Sequence, residues 1–224
     1  MTTLLALDTA TEACSVALLC NDRIYNCYEV IPRLHAQQIL PMIHNVINGA
    51  GCKLDDIEGL AFGCGPGAFT GIRIAAGIVQ GLAFALDKPV IPVSNLAIIA
   101  QRAWRKYQIE RVAVAIDARM NEIYWGCYAL HNGEMTLVGN EQVVAPENVA
   151  LPFDSMNWFG VGTGWRYAAQ IPVSCDIVDS NLLPNANDLL TLALSAWQRG
   201  VAITASGAEP IYLRNNVATP KNQI

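Results

Sequence analysis

Two stretches decide the fold when laid side by side: "TLLALDTATEACSVALLCNDRIYNCYEV", Thr3–Val30, and "VAVAIDARMNEIYWGCYALHNGEMTLV", Val112–Val138. Each begins with an apolar run that ends in an aspartate, Asp8 in the first and Asp117 in the second. Each then has a short polar turn, a second apolar run, an Asn-containing turn (Asn21-Asp22 and Asn132-Gly133) and a third run. Short apolar runs bounded by such turns are strands, and Asn-Asp and Asn-Gly favour tight hairpins. The pattern therefore recurs, and the chain reads as an internal structural repeat.

Outward from these stretches, the first copy continues with helices. Ala36, Ile39, Leu40, Ile43, Val46, Ile47 and Ala50 fall at helical spacing, Gly51 is a stop, and Pro41 should bend the helix. "GLAFG", Gly59–Gly63, is a buried strand, followed by a helix from about Ala68, a strand at Pro89–Ser94 and a helix at Leu96–Lys106. The second copy continues with "WFGVGTG", Trp158–Gly164, then "CDIVD", Cys175–Asp179, and a helix over about Asn187–Arg199 stopped by Gly200. The reading is an α/β fold of two lobes, residues 1–106 and 107–224, with the boundary near Arg105–Glu110 and a cleft between them. The tail near 209–216 is expected to pack back on the first lobe.

Bulk properties narrow the function. The 224 residues are 53% hydrophobic and only 15% charged, enough for a sizeable core and a sign that some apolar surface belongs to an interface. A net charge of -5 argues against direct tight binding of nucleic acid, which needs cations against phosphate. The seven cysteines form no CxxC pair and read as reduced, mostly buried thiols. The N-terminus has no basic region and reaches Asp8 too early for a signal peptide, and Ile72–Leu86 is shorter than a bilayer span needs. A soluble, cytoplasmic protein is expected, with no membrane partner.

The chemical candidates cluster in "GCGPGAFTG", Gly63–Gly71, and after the two repeated strands. Pro66-Gly67 suits a type II turn with Gly67 at positive φ, and Thr70 suits a helix N-cap. A helix N-terminus attracts anions, but no P-loop lysine follows. Arg73 is placed to meet a phosphate or to pair with a carboxylate. Asp8 and Asp117 have two readings, as carboxylates flanking a magnesium-nucleotide or as caps of their own turns. The turn Gly160–Gly164 is ambiguous between backbone geometry and binding. His35 and His44 are nine apart, off the spacing that sets two ligands on one helix face, and His131 lies in a turn.

The helix itself says more. From Ile72 to Leu86 only Arg73 and Gln80 are strongly polar, so it should be buried on two sides. Gly77, Gly81 and Ala85 give a smooth face, and each glycine costs the helix about 0.8–1 kcal/mol relative to Ala. That cost is offset if another helix packs there, either 36–50 of the same chain or a second protein; both are expected.

"LALDTATEACSVAL", "GCGPGAFTGIRIAAGIVQGLA", "IDARMNEIYW", "GVGTGW" and "EPIYLRNN", in this order and over almost the whole chain, closely resemble the bacterial TsaB (YeaZ) family of tRNA threonylcarbamoyladenosine biosynthesis proteins. The resemblance implies the duplicated actin/sugar kinase/Hsp70-like (ASKHA) fold, with βββαβα-type lobes. It implies a non-catalytic scaffold that pairs with a TsaD-like catalytic subunit, is joined by a TsaE-like ATPase, meets tRNA only through the complex, and forms a homodimer when alone. The complex transfers threonylcarbamoyl to the adenosine next to the anticodon in tRNAs reading A-starting codons. The partner bundle would use helices Leu34–Ala50 and Ala68–Leu86, with Leu34, Gln38, Met42, Arg73, Ile74, Gly77, Ile78, Gly81, Leu82 and Ala85 at the interface. The chain departs from the catalytic relatives: "SNLAIIAQRAW", Ser94–Trp104, lacks their His pair, and "DTATEA", Asp8–Ala13, lacks the glycine of the kinase phosphate loop. No cofactor is expected in the isolated chain. ATP or ADP at the partner interface would meet Asp8, Thr9, Gly65 and Gly67. The alternative is a small magnesium-nucleotide-dependent kinase or ATPase of the same superfamily.

Overall fold

The computed structural model describes residues 2–153 and 157–214. The repeat is real. The first sheet contains β1 (Leu4–Asp8), β2 (Ala13–Cys20), β3 (Arg23–Val30), β4 (Gly59–Gly65) and β5 (Val90–Ser94), in the order β3-β2-β1-β4-β5. The second contains β6 (Arg111–Arg119), β7 (Glu122–His131), β8 (Glu134–Val144), β9 (Phe159–Val161) and β10 (Asp176–Asp179), in the equivalent order β8-β7-β6-β9-β10. In both, the first three strands are antiparallel and the last two run parallel to the first. The hairpin residues Asn21-Asp22 and Asn132-Gly133 all have positive φ, the conformation whose twist matches the flanking strands. This is the duplicated α/β architecture expected of the ASKHA fold. The copies differ after their third strands: the first carries α1 (His35–Ala50) and α2 (Phe69–Leu86), whereas the second has short 3-10 turns at Pro146–Asn148 and Thr163–Tyr167.

α1 and α2 lie on one face of the first sheet, and α1 ends at Gly51, whose φ of 67° directs its N–H back to Asn48 and Ile47. The opposite face is covered chiefly by α4 (Ala186–Gln198), through Leu189, Leu190 and Ala193 against Leu4, Ala6 and Ala61; the next helix, α3 (Asn95–Tyr107), adds only Ile98 and the edge of Ala97. Most of α3 packs on the second sheet, against Val112, Val114 and Tyr128. Each repeat thus lends a helix to the other's sheet. Arg105 of α3 binds the fully buried Asp188 of α4 with both oxygens, at 2.6 and 2.8 Å. The Gln101 side chain holds the β7–β8 turn through Gly133 and Met135.

The turn after β1 sits directly on the start of α2. Ala68 N–H donates to Ala10 O at 2.7 Å, and the Thr9 hydroxyl donates to Gly71 O at 2.7 Å. A Cβ at Gly71 would lie 2.1 Å from Thr9 O, and one at Gly67 would lie 2.5 Å from Ala10 O, so the glycines are spent on this approach. Asp8 is fully buried beneath them. The Asn95 amide donates to its Oδ2 at 2.5 Å, and the Asn95 oxygen accepts from Gly65 N–H at 2.8 Å. Burial outweighs these bonds and raises the Asp8 carboxyl from 3.8 to about 6.

Several sequence expectations change. Thr70 is not the N-cap: Ala68 is, without a side-chain bond, because the contact with Ala10 sets where α2 starts. Positive φ falls on Gly65 (112°), not Gly67, and the Gly65–Pro66 peptide is cis. Cys20 and Cys52 are joined rather than reduced, while Cys14, Cys27, Cys64, Cys127 and Cys175 are free. α2 has 18 residues and is apolar enough by composition to cross a membrane, yet its inner side is seated on β4 within the first core.

Two measurements check this packing. Arg105→Met leaves the Asp188 carboxylate buried without its guanidinium and should cost about 3 kcal/mol in denaturant unfolding, most of it recovered in Arg105→Met/Asp188→Leu. The Asp8 carboxyl should titrate by NMR near pH 6; a midpoint near 4 would show that its hydrogen bonds outweigh burial. Because the folded state holds this proton more tightly than the unfolded state, the group makes the protein less stable as pH rises from 3.8 to about 6, by about 3 kcal/mol in total.

Candidate functional site

Two surfaces have the form of a site: the cleft between the sheets and the outer face of α1 and α2. The cleft is a cavity of about 860 Å³. Its walls are the turn after β1 (Ala10–Glu12), the start of α2, the end of β6 (Ile116–Arg119) with Tyr124 of β7, the 3-10 turn at Thr163–Tyr167 and a C-terminal strap, Ile211–Arg214. The strap is pinned at both ends, by Ile211 N–H donating to Cys64 O at 2.7 Å and by an ion pair of Arg214 with Glu122.

The residues assigned to a nucleotide come together, but not as a binding site. Asp8 and Thr9 are fully buried and bonded to Asn95 and Gly71, and Gly67 is filled by Ala10. At Gly65 a Cβ would lie 2.7 Å from Ile211 O, so the strap takes that space. A magnesium-nucleotide needs carboxylates and backbone N–H groups open to solvent. These four residues do not fit one. Asp117 does line the cleft, yet its carboxylate is engaged: Oδ1 accepts from Arg119 N–H at 2.9 Å, and Oδ2 accepts from Arg119 and Arg166 at 3.2 Å each. Asp117 thus bonds its own turn, and Asp8 Oδ1 likewise accepts from Ala10 N–H at 3.3 Å while its Oδ2 accepts from Asn95. Among the described residues no group of three or more His, Cys, Asp or Glu side chains could hold a metal ion.

The outer helical face is of another kind. Gly77, Gly81, Ala85 and Arg73 are exposed, Ile74, Ile78, Leu82 and Gln38 are half-buried, and Leu34 is exposed at the start of α1. Met42 departs from the expectation: it is buried in the first core and unavailable to a partner. A Cβ at Gly77 or Gly81 would meet nothing within 4 Å. The expected packing of α1 against these glycines is therefore absent, and nothing among the described residues covers them. Beside them Phe84 is 84% exposed and Leu40 of α1 also stands out of the surface, while Phe69, exposed at the start of α2, also lines the cleft. Contiguous exposed apolar surface of this kind marks an interface.

Reading the sequence missed Asn95, Phe69, Phe84 and Tyr212. Phe69 and Phe84 lie on the apolar helix already singled out and were within reach of helical-wheel reasoning. Asn95 and Tyr212 act across the chain, 87 and 139 residues from Asp8 and Arg73. No local pattern announces them.

A family model described as TsaD, tRNA N6-adenosine threonylcarbamoyltransferase, matches residues 29–221. The chain is 44% identical to the tRNA threonylcarbamoyladenosine biosynthesis protein TsaB of Escherichia coli (strain K12), covering 97% of each chain. It is 45% identical to the TsaB of Haemophilus influenzae, covering 98% of this chain and 96% of that one. The solved structure of YeaZ from Pseudomonas aeruginosa superposes with a TM-score of 0.94 at 59% identity, covering 95% of this chain and all of the other. With this agreement along nearly its full length, the chain belongs to the TsaB family of tRNA threonylcarbamoyladenosine biosynthesis proteins.

Proposed function

We propose that the chain is a non-catalytic docking subunit in tRNA threonylcarbamoyladenosine synthesis. It pairs through α1 and α2 with a TsaD-type threonylcarbamoyltransferase, which carries the chemistry. A TsaE-like ATPase joins the assembly, tRNA is met only through the complex, and the whole works in the cytoplasm. The single observation that carries the reading is the apolar helical face whose glycines have no neighbour among the described residues. Gly77 and Gly81 weaken α2 by about 0.8–1 kcal/mol each in water, and an approaching helix offsets that loss.

Two further features support a role without catalysis by this chain. Asp8 and Thr9, where a kinase-like protein would hold magnesium and phosphate, are fully buried and bonded to Asn95 and Gly71. Both oxygens of Asp117 are occupied by arginine and backbone donors. In this reading the isolated chain binds no nucleotide, and ATP or ADP enters only where the partner completes a site. Without its partner the same apolar face pairs two copies of the chain.

Gly81→Leu should abolish co-elution with a TsaD-type subunit while leaving the thermal midpoint of the free chain unchanged or raised, since the new side chain meets open space. Co-elution of the variant would remove α2 from the interface. Calorimetric titration of magnesium-ATP should give no heat with the chain alone and a binding isotherm with the mixture. Tight binding by the chain alone, lost in Asp8→Ala, would favour the magnesium-nucleotide enzyme instead.

A further inference from the structure

Neither helix of the outer face carries a carboxylate: α1 reads HAQQILPMIHNVINGA and α2 reads FTGIRIAAGIVQGLAFAL. Arg73 is the sole Lys or Arg on either. Among the described residues it pairs with no carboxylate. Its guanidinium carbon lies 3.6 Å from the centroid of the Phe69 ring, and its Nε–H donates to the Tyr212 hydroxyl at 2.8 Å. The Phe69 and Tyr212 rings are 6.3 Å apart. Among the described residues, Nη1 and Nη2 make no hydrogen bond or ion pair. Arg73 is exposed, so these two donors are open to a visitor.

Two contacts hold the side chain. Stacking on Phe69 fixes the guanidinium plane. Tyr212 fixes its Nε edge, and Tyr212 is itself fixed by the strap, anchored at Cys64 and Glu122. A planar fork presented this way matches a carboxylate in two-point contact. The surroundings are apolar, so a partner that covers the face removes water from a guanidinium. An unpaired buried charge costs several kcal/mol, so a stable partner must supply an acceptor. A second copy of this chain brings no carboxylate on α1 or α2.

We infer that Arg73, positioned by Phe69 and Tyr212, is the specificity-determining cation of the outer helical face, and that the face takes a protein partner whose docking surface presents a carboxylate opposite it. This rests on the docking role proposed above and adds the chemistry by which the partner is chosen over a second copy. The strap is then part of the interface apparatus: its Tyr212 sets the geometry of a charge on α2.

The test is calorimetric titration of the full-length chain with a TsaD-type subunit at about 50 and about 500 mM salt, a range over which screening acts strongly. The wild-type pair should weaken as salt rises. Arg73→Met should bind about tenfold more weakly at low salt and lose most of that salt dependence. Arg73→Lys should recover only part of the affinity, because an ammonium lacks the fork. Tyr212→Phe keeps the ring and loses the acceptor; it should weaken binding about threefold and shrink the salt dependence while the free chain melts as before. Arg73→Met with wild-type affinity and salt dependence would overturn the carboxylate partner. Gly81→Leu, run alongside, separates the two ideas: binding by that variant overturns the docking role itself, whereas its failure beside a wild-type-like Arg73→Met overturns only the charge pairing.

Discussion

The structure depends on how closely the turn after β1 approaches the first turn of α2. Two hydrogen bonds draw the segments together there: Ala68 N–H on Ala10 O, backbone to backbone, and the Thr9 hydroxyl on Gly71 O. No side chain larger than hydrogen fits at Gly71, where a Cβ would fall 2.1 Å from Thr9 O. The approach seals Asp8 from water, sets where α2 begins, and so determines which residues of that helix face the core and which face outward. The same segment that resembles a phosphate cradle in sequence is, in three dimensions, a contact of the chain with itself. A phosphate-binding loop needs glycines whose N–H groups look into space. Here the space is already filled by Ala10, Thr9 and the strap.

Much of the fold was legible because its signals are local. Strand runs, the two Asn hairpins and the Gly51 stop each depend on a few neighbouring residues, and the repeat follows from comparing them. The exchange of α3 and α4 was not legible. Both helices are amphipathic, and nothing in "NLAIIAQRAWRKY" states which sheet its apolar side will meet. Thr70 failed as a cap for a related reason. Its propensity for the position is real, but the hydrogen bond of Ala68 to Ala10, two residues earlier, overrides it. The cysteine pairing joins the end of β2 to the segment after α1, two places that adjoin only once α1 has crossed the sheet.

The candidate site divides along the same line. That α2 is too apolar for a helix covering one sheet was visible in its composition, and the open space around Gly77 and Gly81 is the structural counterpart. Met42 was drawn into the interface by its position on α1, yet its side of the helix faces the sheet beside Ile39 and Ile43. The setting of Arg73 was invisible, since it joins the first turn of α2 to a tail residue 139 positions away.

The exchange of helices has a consequence for synthesis. The face of the first sheet formed by Leu4, Ala6, Ala17 and Leu19 is covered by residues 186–198. During translation those strands emerge well before residues 186–198, which cover them. Throughout that interval a wide apolar surface has no permanent neighbour, a condition that favours misassembly of nascent chains. The first half is therefore not a unit that matures and waits for the second. The two halves reach their final form together, when the last long helix arrives between them.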